Sequence, residues 1–170
     1  MGTPSRALPA DQGLREHEDA IAILTEDHRR LERLFEEFNG SNSMWREEDL
    51  AYDICAALKM HTAVDELLFY PAFARASGVR QVAALDEHAA MNALIEEIER
   101  AGPTEETFFA KVHVLGELFR QHVQAEEGVH GIFAAAQELN LDLEGLGREL
   151  KSRKSELSNS LVAPGGPTNS

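Results

Sequence analysis

The segment His61-Thr62-Ala63-Val64-Asp65-Glu66-Leu67-Leu68-Phe69-Tyr70-Pro71 decides how this chain folds. Upstream of it, Leu50, Ile54 and Ala57 fall three and four residues apart, and the rhythm continues through His61, Val64 and Leu68. That spacing predicts a helix with one face turned to a core. The histidine sits on that face, and so does Asp65. Four residues advance a helix by about 400°, so the two side chains lie within about 40° of each other. Glu66, at the fifth position, points about 140° from His61. It is the alternative to Asp65 should the shorter aspartate fail to reach. A buried imidazole costs a few kcal/mol without hydrogen bonds, and a buried carboxylate costs more. This helix therefore needs polar partners from elsewhere in the core.

Three further helical patterns supply them. The first covers about 19–38, with Ile21, Leu24, His28, Leu31, Phe35 and Phe38 on one stripe, and Asn39-Gly40-Ser41-Asn42 ends it. The second is the helix already described, about 47–75, which Pro71 is expected to kink or end near Tyr70. The third covers about 78–100, with Leu85, His88, Asn92, Ile95 and then Ile98 or Glu99 inward. Ala101-Gly102-Pro103 breaks it, and Thr104 is the expected N-cap of the fourth helix, about 105–139. That helix carries Phe108, Val112, Leu115, Phe119, His122, Glu126, Val129 and Phe133 on its stripe. A shorter pattern at 143–157 is expected to pack outside. Nothing alternates as a strand does, so the chain is all-α: a four-helix bundle with a short extra C-terminal helix. The organisation expected is a flexible arm at 1–17, the bundle at 18–140, the extra helix at 141–157 and a disordered tail at 158–170.

Each of the four helices thus places one histidine (His28, His61, His88 or His122) where an apolar residue belongs, and Asp65 and Glu126 follow two of them by one turn. His113 falls on the opposite side of its helix, His17 lies in the arm, and His130 reaches at most the margin of the site. Four imidazoles and two carboxylates in one small core are a heavy penalty that a bound cation removes. These donors suit iron, manganese or zinc. Cys55 is the single cysteine, which excludes an internal disulfide, a thiolate zinc site and an iron–sulfur cluster within one chain. Six residues before His61, it reads as structural. Sixteen basic against thirty acidic side chains give a net charge of −14, which argues against nucleic acid and anionic membranes as partners. No run approaches the roughly 18 apolar residues of a membrane span. With no secretion signal legible at the start, a cytoplasmic location is expected.

Four motifs, T-E-D-H-R-R-L-E at 25–32, H-T-A-V-D-E-L-L-F-Y-P at 61–71, D-E-H-A-A-M at 86–91 and H-V-Q-A-E-E at 122–127, resemble those of the hemerythrin-like HHE cation-binding domain family. The resemblance covers roughly residues 19–137. It implies an up-down-up-down bundle around two iron ions (Fe2+/Fe3+) joined by an oxo or hydroxo bridge. By position, the family's ligands fall on His28, His61, His88 and His122, with Asp65 and Glu126 as the bridging carboxylates. Two departures bear on function. Asp65 stands where glutamate is usual, which keeps Glu66 in play. Asn92 stands where oxygen carriers have a second histidine, which leaves positions open for a small oxidant or for a tyrosine, Tyr70 or Tyr52. The expectation is a redox-active protein that handles O2, peroxide or nitric oxide, with catalase-like or NO-reducing activity and an electron donor the sequence does not name. Glu87, Glu127 or His130 would then orient ligands or move protons. The alternative is an iron or oxygen sensor or storage module without turnover. A metal-free interaction bundle is a third reading.

Overall fold

The computed structural model describes residues 19–79 and 82–162 of the chain. The N-terminal arm and His17 fall outside them, as does the tail beyond Val162. Among the described residues there is no strand. The elements are α1 (Ala20–Gly40), α2 (Met44–Val64), a π-helical turn (Asp65–Phe69), α3 (Tyr70–Ser77), α4 (Ala84–Ala101), α5 (Phe108–Glu127), α6 (Ile132–Glu138) and α7 (Leu143–Val162). The Asp19 side chain caps α1 by accepting a 2.8 Å hydrogen bond from the Ala22 amide. Residues 41–43 alone separate α1 from α2, and 102–107 separate α4 from α5, so these neighbours run antiparallel. The unit formed by α2, the π turn and α3 acts as the second helix of the bundle.

The apolar stripes build two clusters rather than one. Leu31, Phe35, Ile54, Ile95, Leu115 and Phe119 belong to the first. Leu24, Val64, Phe69, Tyr70, Phe133 and Leu150 belong to the second. The four inward histidines fall at the boundary. His28 lies between Leu24 and Leu31, His61 between Leu58 and Val64, and His88 between Ala84 and Met91. His122 follows Phe119 by three residues. The bundle therefore holds a polar layer with an apolar plug above and below.

Several local expectations differ from the structure. Pro71 neither ends nor sharply breaks the second helix. Proline lacks the amide that would bond the Leu67 carbonyl, and its ring crowds that carbonyl. The chain widens into a π turn just before it, with the Tyr70 amide bonding to Asp65 O, and then continues as α3 with Pro71 in its first turn. In consequence Phe69 and Tyr70 are buried, where the α-helical rhythm had put Leu68. In α4, Ile98 faces inward, while Glu99 pairs with Lys59 at the surface. The expected cap Thr104 lies in a turn, and α5 begins at Phe108, after Thr107.

The fourth helix does not run through to residue 139. It stops at Glu127, and Phe133 enters the core from the separate helix α6, while Val129 is 87% exposed. Gly131 makes that break tight: a Cβ there would stand 2.3 Å from the Glu126 carbonyl oxygen. The extra C-terminal helix is not short. Helix α7 reaches Val162, so residues 158–162, expected in the tail, are helical. It packs along α1 and α2, and its Leu150 is fully buried. Leu150→Ala is accordingly expected to lower the unfolding free energy by about 2 to 5 kcal/mol in a urea titration, the range for a buried leucine.

Candidate metal centre

Within the polar layer all four imidazoles turn the same edge inward. The Nε2 atom of His61 lies 3.1 Å from His28 Nε2 and 3.2 Å from His122 Nε2. His88 approaches from the fourth side, its ring centroid 4.7 Å from that of His122. Glu126 Oε2 is 3.2 Å from His28 Nε2 and 3.5 Å from His122 Nε2. Asp65 Oδ2 is 3.2 Å from His61 Nε2 and 3.9 Å from His88 Nε2. All six residues are buried, and their donor atoms form two overlapping groups. One consists of His28, His61, His122 and Glu126; the other of His61, Asp65, His88 and His122. In each group the atoms lie within 4.8 Å of one another. The structure thus brings these six residues together.

The other edge of each ring faces a carboxylate. His28 Nδ1 lies 2.6 Å from Glu127 Oε1, His88 Nδ1 3.1 Å from Glu66 Oε1, and His122 Nδ1 3.3 Å from Glu87 Oε2. His61 Nδ1 is 3.9 Å from Asp27 Oδ2, too long for a hydrogen bond. Glu66 is therefore not brought among the inward donors. It stands behind His88, half exposed, where its spacing of five from His61 sends it. Glu87 and Glu127 hold the places foreseen for groups that orient ligands. His130 is exposed, and is not among the grouped donors. His113 packs on Phe38, away from the layer.

A carboxylate fixes its histidine by accepting the Nδ1 proton, which leaves the lone pair on Nε2. For His28, His88 and His122 that tautomer aims bare lone pairs into one small volume. Two carboxylates add further acceptors. Asp65 Oδ1 and Oδ2 and Glu126 Oε2 are buried and have no hydrogen-bond partner. So many acceptors without donors is the arrangement a cation satisfies, and nitrogen with carboxylate oxygen suits a first-row transition metal. Three of the four imidazoles are held in the neutral form. Burial pushes His61 down to about 4. Burial first, and then the charges of His122 and His61, push His88 down to about 3. Burial also lowers His122. Burial and the negative charge of Glu126 raise Asp65 well above the usual carboxylate range. Burial works against Glu126 too, but the adjacent histidines hold it at about 2. Burial likewise opposes the proton on His28, yet Glu126 and then Glu127 raise it.

Tyr70 was one of two tyrosines the sequence left open. Its hydroxyl donates a 2.6 Å hydrogen bond to Glu126 Oε1 and lies 3.2 Å from His88 Nε2. It therefore fixes one oxygen of Glu126 and leaves the other for the layer. Tyr52 packs against Phe108 in the first apolar cluster. Asn92 is half buried and accepts a 3.4 Å hydrogen bond from the Thr62 hydroxyl. Cys55 is buried, its thiol pushed up to about 12 mainly by that burial, as for a structural residue.

The sequence matches the hemerythrin HHE cation-binding domain family over residues 19–131. It is 28% identical to a DNA nickase of Nostoc sp. over 143 residues, which cover 82% of this chain and 40% of that protein. The chain thus spans well under half of that relative. The fold is similar to the crystal structure of a hemerythrin HHE cation-binding domain-containing protein from Mycobacterium kansasii, with a TM-score of 0.66 and 21% identity over 84% of this chain and 88% of that one.

Substitution of Tyr70 by Phe removes the donor to Glu126 Oε1 and leaves a second buried oxygen unpaired. In metal-free protein it is expected to cost about 1 to 3 kcal/mol of unfolding free energy, read by denaturant titration in the presence of a chelator.

Proposed function

The chain belongs to the hemerythrin HHE cation-binding family, and we propose that it holds two iron ions between its two apolar cores and uses them to react with dioxygen, hydrogen peroxide or nitric oxide. The observation that supports this reading is the convergence of four Nε2 atoms and two carboxylates whose buried oxygens lack donors. His28 with Glu126 would hold one ion and His88 with Asp65 the other. His61 and His122 belong to both groups, and each imidazole nitrogen serves one cation, so these two divide between the sites. An iron pair supplies one-electron redox chemistry toward small oxidants. The protein's share is to keep three imidazoles neutral at pH 7, to aim them through the carboxylates behind, and to enclose the layer between apolar residues. The Tyr70 hydroxyl, against Glu126, is a buried proton donor placed at the layer.

We place the protein in the cytoplasm, consistent with its single unpaired cysteine, and no helix among the described residues is long and apolar enough to cross a membrane. DNA nicking is not carried over from the Nostoc relative, since a net charge of −14 opposes approach to phosphate. A sensor or storage role is the second reading. Its support is that the unpaired acceptors strain the metal-free core, so occupancy would order the bundle.

Protein purified from iron-replete cells is expected to carry close to two irons per chain by elemental analysis. His61→Ala and His28→Ala each remove an imidazole that would hold one cation, and both are expected to carry less iron than the parent chain. Iron retained at the parent level by both variants would sink the assignment. Many equivalents of peroxide or nitric oxide consumed per chain would mark an enzyme. A single equivalent with a lasting change in fold would mark a sensor or store. Metal at about a thousandfold above its dissociation constant should raise unfolding free energy by about 4 kcal/mol.

A further inference from the structure

Three of the four histidines have their outward nitrogen hydrogen-bonded, and His61 does not. Its Nδ1 and Asp27 Oδ2, 3.9 Å apart, are both buried and both without a hydrogen-bond partner. The other oxygen of Asp27, Oδ1, is paired with Lys154 Nζ. Lys154 belongs to α7, which begins beyond the last residue matched to the family. From these contacts we infer that Lys154, acting through Asp27, is a positioning residue for His61, and that helix α7 is a working part of the metal centre. This rests on the metal-binding reading above.

The sign follows from the surroundings of Asp27. Its Oδ1 is held by Lys154 Nζ, while its Oδ2 is buried without a hydrogen-bond partner and faces His61. A cavity of about 280 Å³, lined by Ala22, Ile23, Glu26, Asp27, Lys151 and Lys154, opens beside it. Without Lys154 the ionised carboxylate has room to turn into that cavity, toward water and away from the imidazole. With Lys154 in place, Oδ2 stays directed at His61, one small rotation from accepting the Nδ1 proton. His61 belongs to both donor groups, so its ring orientation bears on whichever ion it holds. Helix α7 is anchored independently, by Leu146 and Leu150 in the second apolar cluster, so loss of the ion pair leaves the helix docked.

The test compares the full chain with K154M, K154R, D27N and the double variant D27N/K154M. Each is loaded with iron(II) without oxygen, and release to excess chelator is timed. K154M and D27N are each expected to release iron about tenfold faster, in the range found when a partner behind a metal-bound histidine is removed. K154R is expected to stay near the parent rate. The double variant should be no faster than the faster single variant, because both changes break one chain of contacts. In metal-free protein, imidazole nitrogen NMR should show the His61 tautomer mixture changed in K154M and D27N, with His88 unchanged. Parent-like release and an unchanged His61 signal in both single variants, or rate effects that multiply in the double variant, would overturn the inference. A lowered unfolding temperature alone would do the same, since it marks a merely structural contact. Should K154M fail to fold, D27N and K154R decide the question. Should the parent chain bind no iron, the metal-centre reading fails, and the His61 signal still decides whether Lys154 acts on that ring.

Discussion

Six polar side chains confined between two apolar clusters set the terms for the rest of this structure. His28, His61, His88, His122, Asp65 and Glu126 cannot reach water, and their inward atoms are nearly all acceptors. A layer of that kind is tolerable only if something positive enters it or if its protons are rearranged. The surrounding architecture reads as a response to that demand. Apolar plugs on both sides shut out water, so the choice of partner is restricted. Carboxylates behind three of the rings fix which nitrogen is bare. Helices set the spacing, since a helical rhythm brings a histidine and a carboxylate four residues apart onto one face, one turn from each other.

The acidic composition takes on a different meaning in this light. A net charge of −14 read from sequence alone is most simply a solvated surface. Four of those acidic side chains, Asp27, Glu66, Glu87 and Glu127, instead stand behind the four imidazoles. Glu66, Glu87 and Glu127 are partly exposed, which lowers the cost of keeping their charge, and Lys154 offsets that cost for the more buried Asp27. Each lies on a helix other than that of the histidine it faces, so the set also ties the helices together across the layer. Arg29 pairs with Glu127 and Lys154 with Asp27, which holds two of these carboxylates on the imidazole side.

How much of this was legible in the sequence depended on whether a feature obeys helix periodicity. The four histidines, Asp65 and Glu126 sit at three- and four-residue intervals from apolar neighbours, so their place in the core could be read directly. Glu66 violates that interval, and its position behind His88 rather than in the layer follows from the 140° offset once the partner ring is known. Asp27 immediately precedes His28 and faces a ring on a different helix, so nothing local marks it. Lys154 is further removed, because contact between α7 and α1 depends on tertiary packing. The break between α5 and α6 was missed because Val129 and Phe133 continue the apolar rhythm. Gly128 and Gly131 carry the contrary signal, and only the close approach to the Glu126 carbonyl shows why the second glycine is needed.

The π turn shows how a local rule broken in sequence serves the site. Five residues separate Asp65 from Tyr70, and an α-helix would set them about 140° apart. The bond from the Tyr70 amide to Asp65 O winds the chain so that both side chains enter the core. Pro71 forbids the regular α bond at the next residue, and thereby disfavours the winding that would turn Tyr70 outward. The dipeptide Tyr70-Pro71 is thus one device: the proline sets the backbone and the tyrosine uses it. Its product is the hydrogen bond to Glu126 Oε1, which divides the two oxygens of that carboxylate between a proton donor and the layer. A glutamate free to present both oxygens would have no fixed allegiance. Held by Tyr70, it presents Oε2 to His28 and His122, and the two halves of the layer, Glu126 on one side and Asp65 on the other, become chemically distinct.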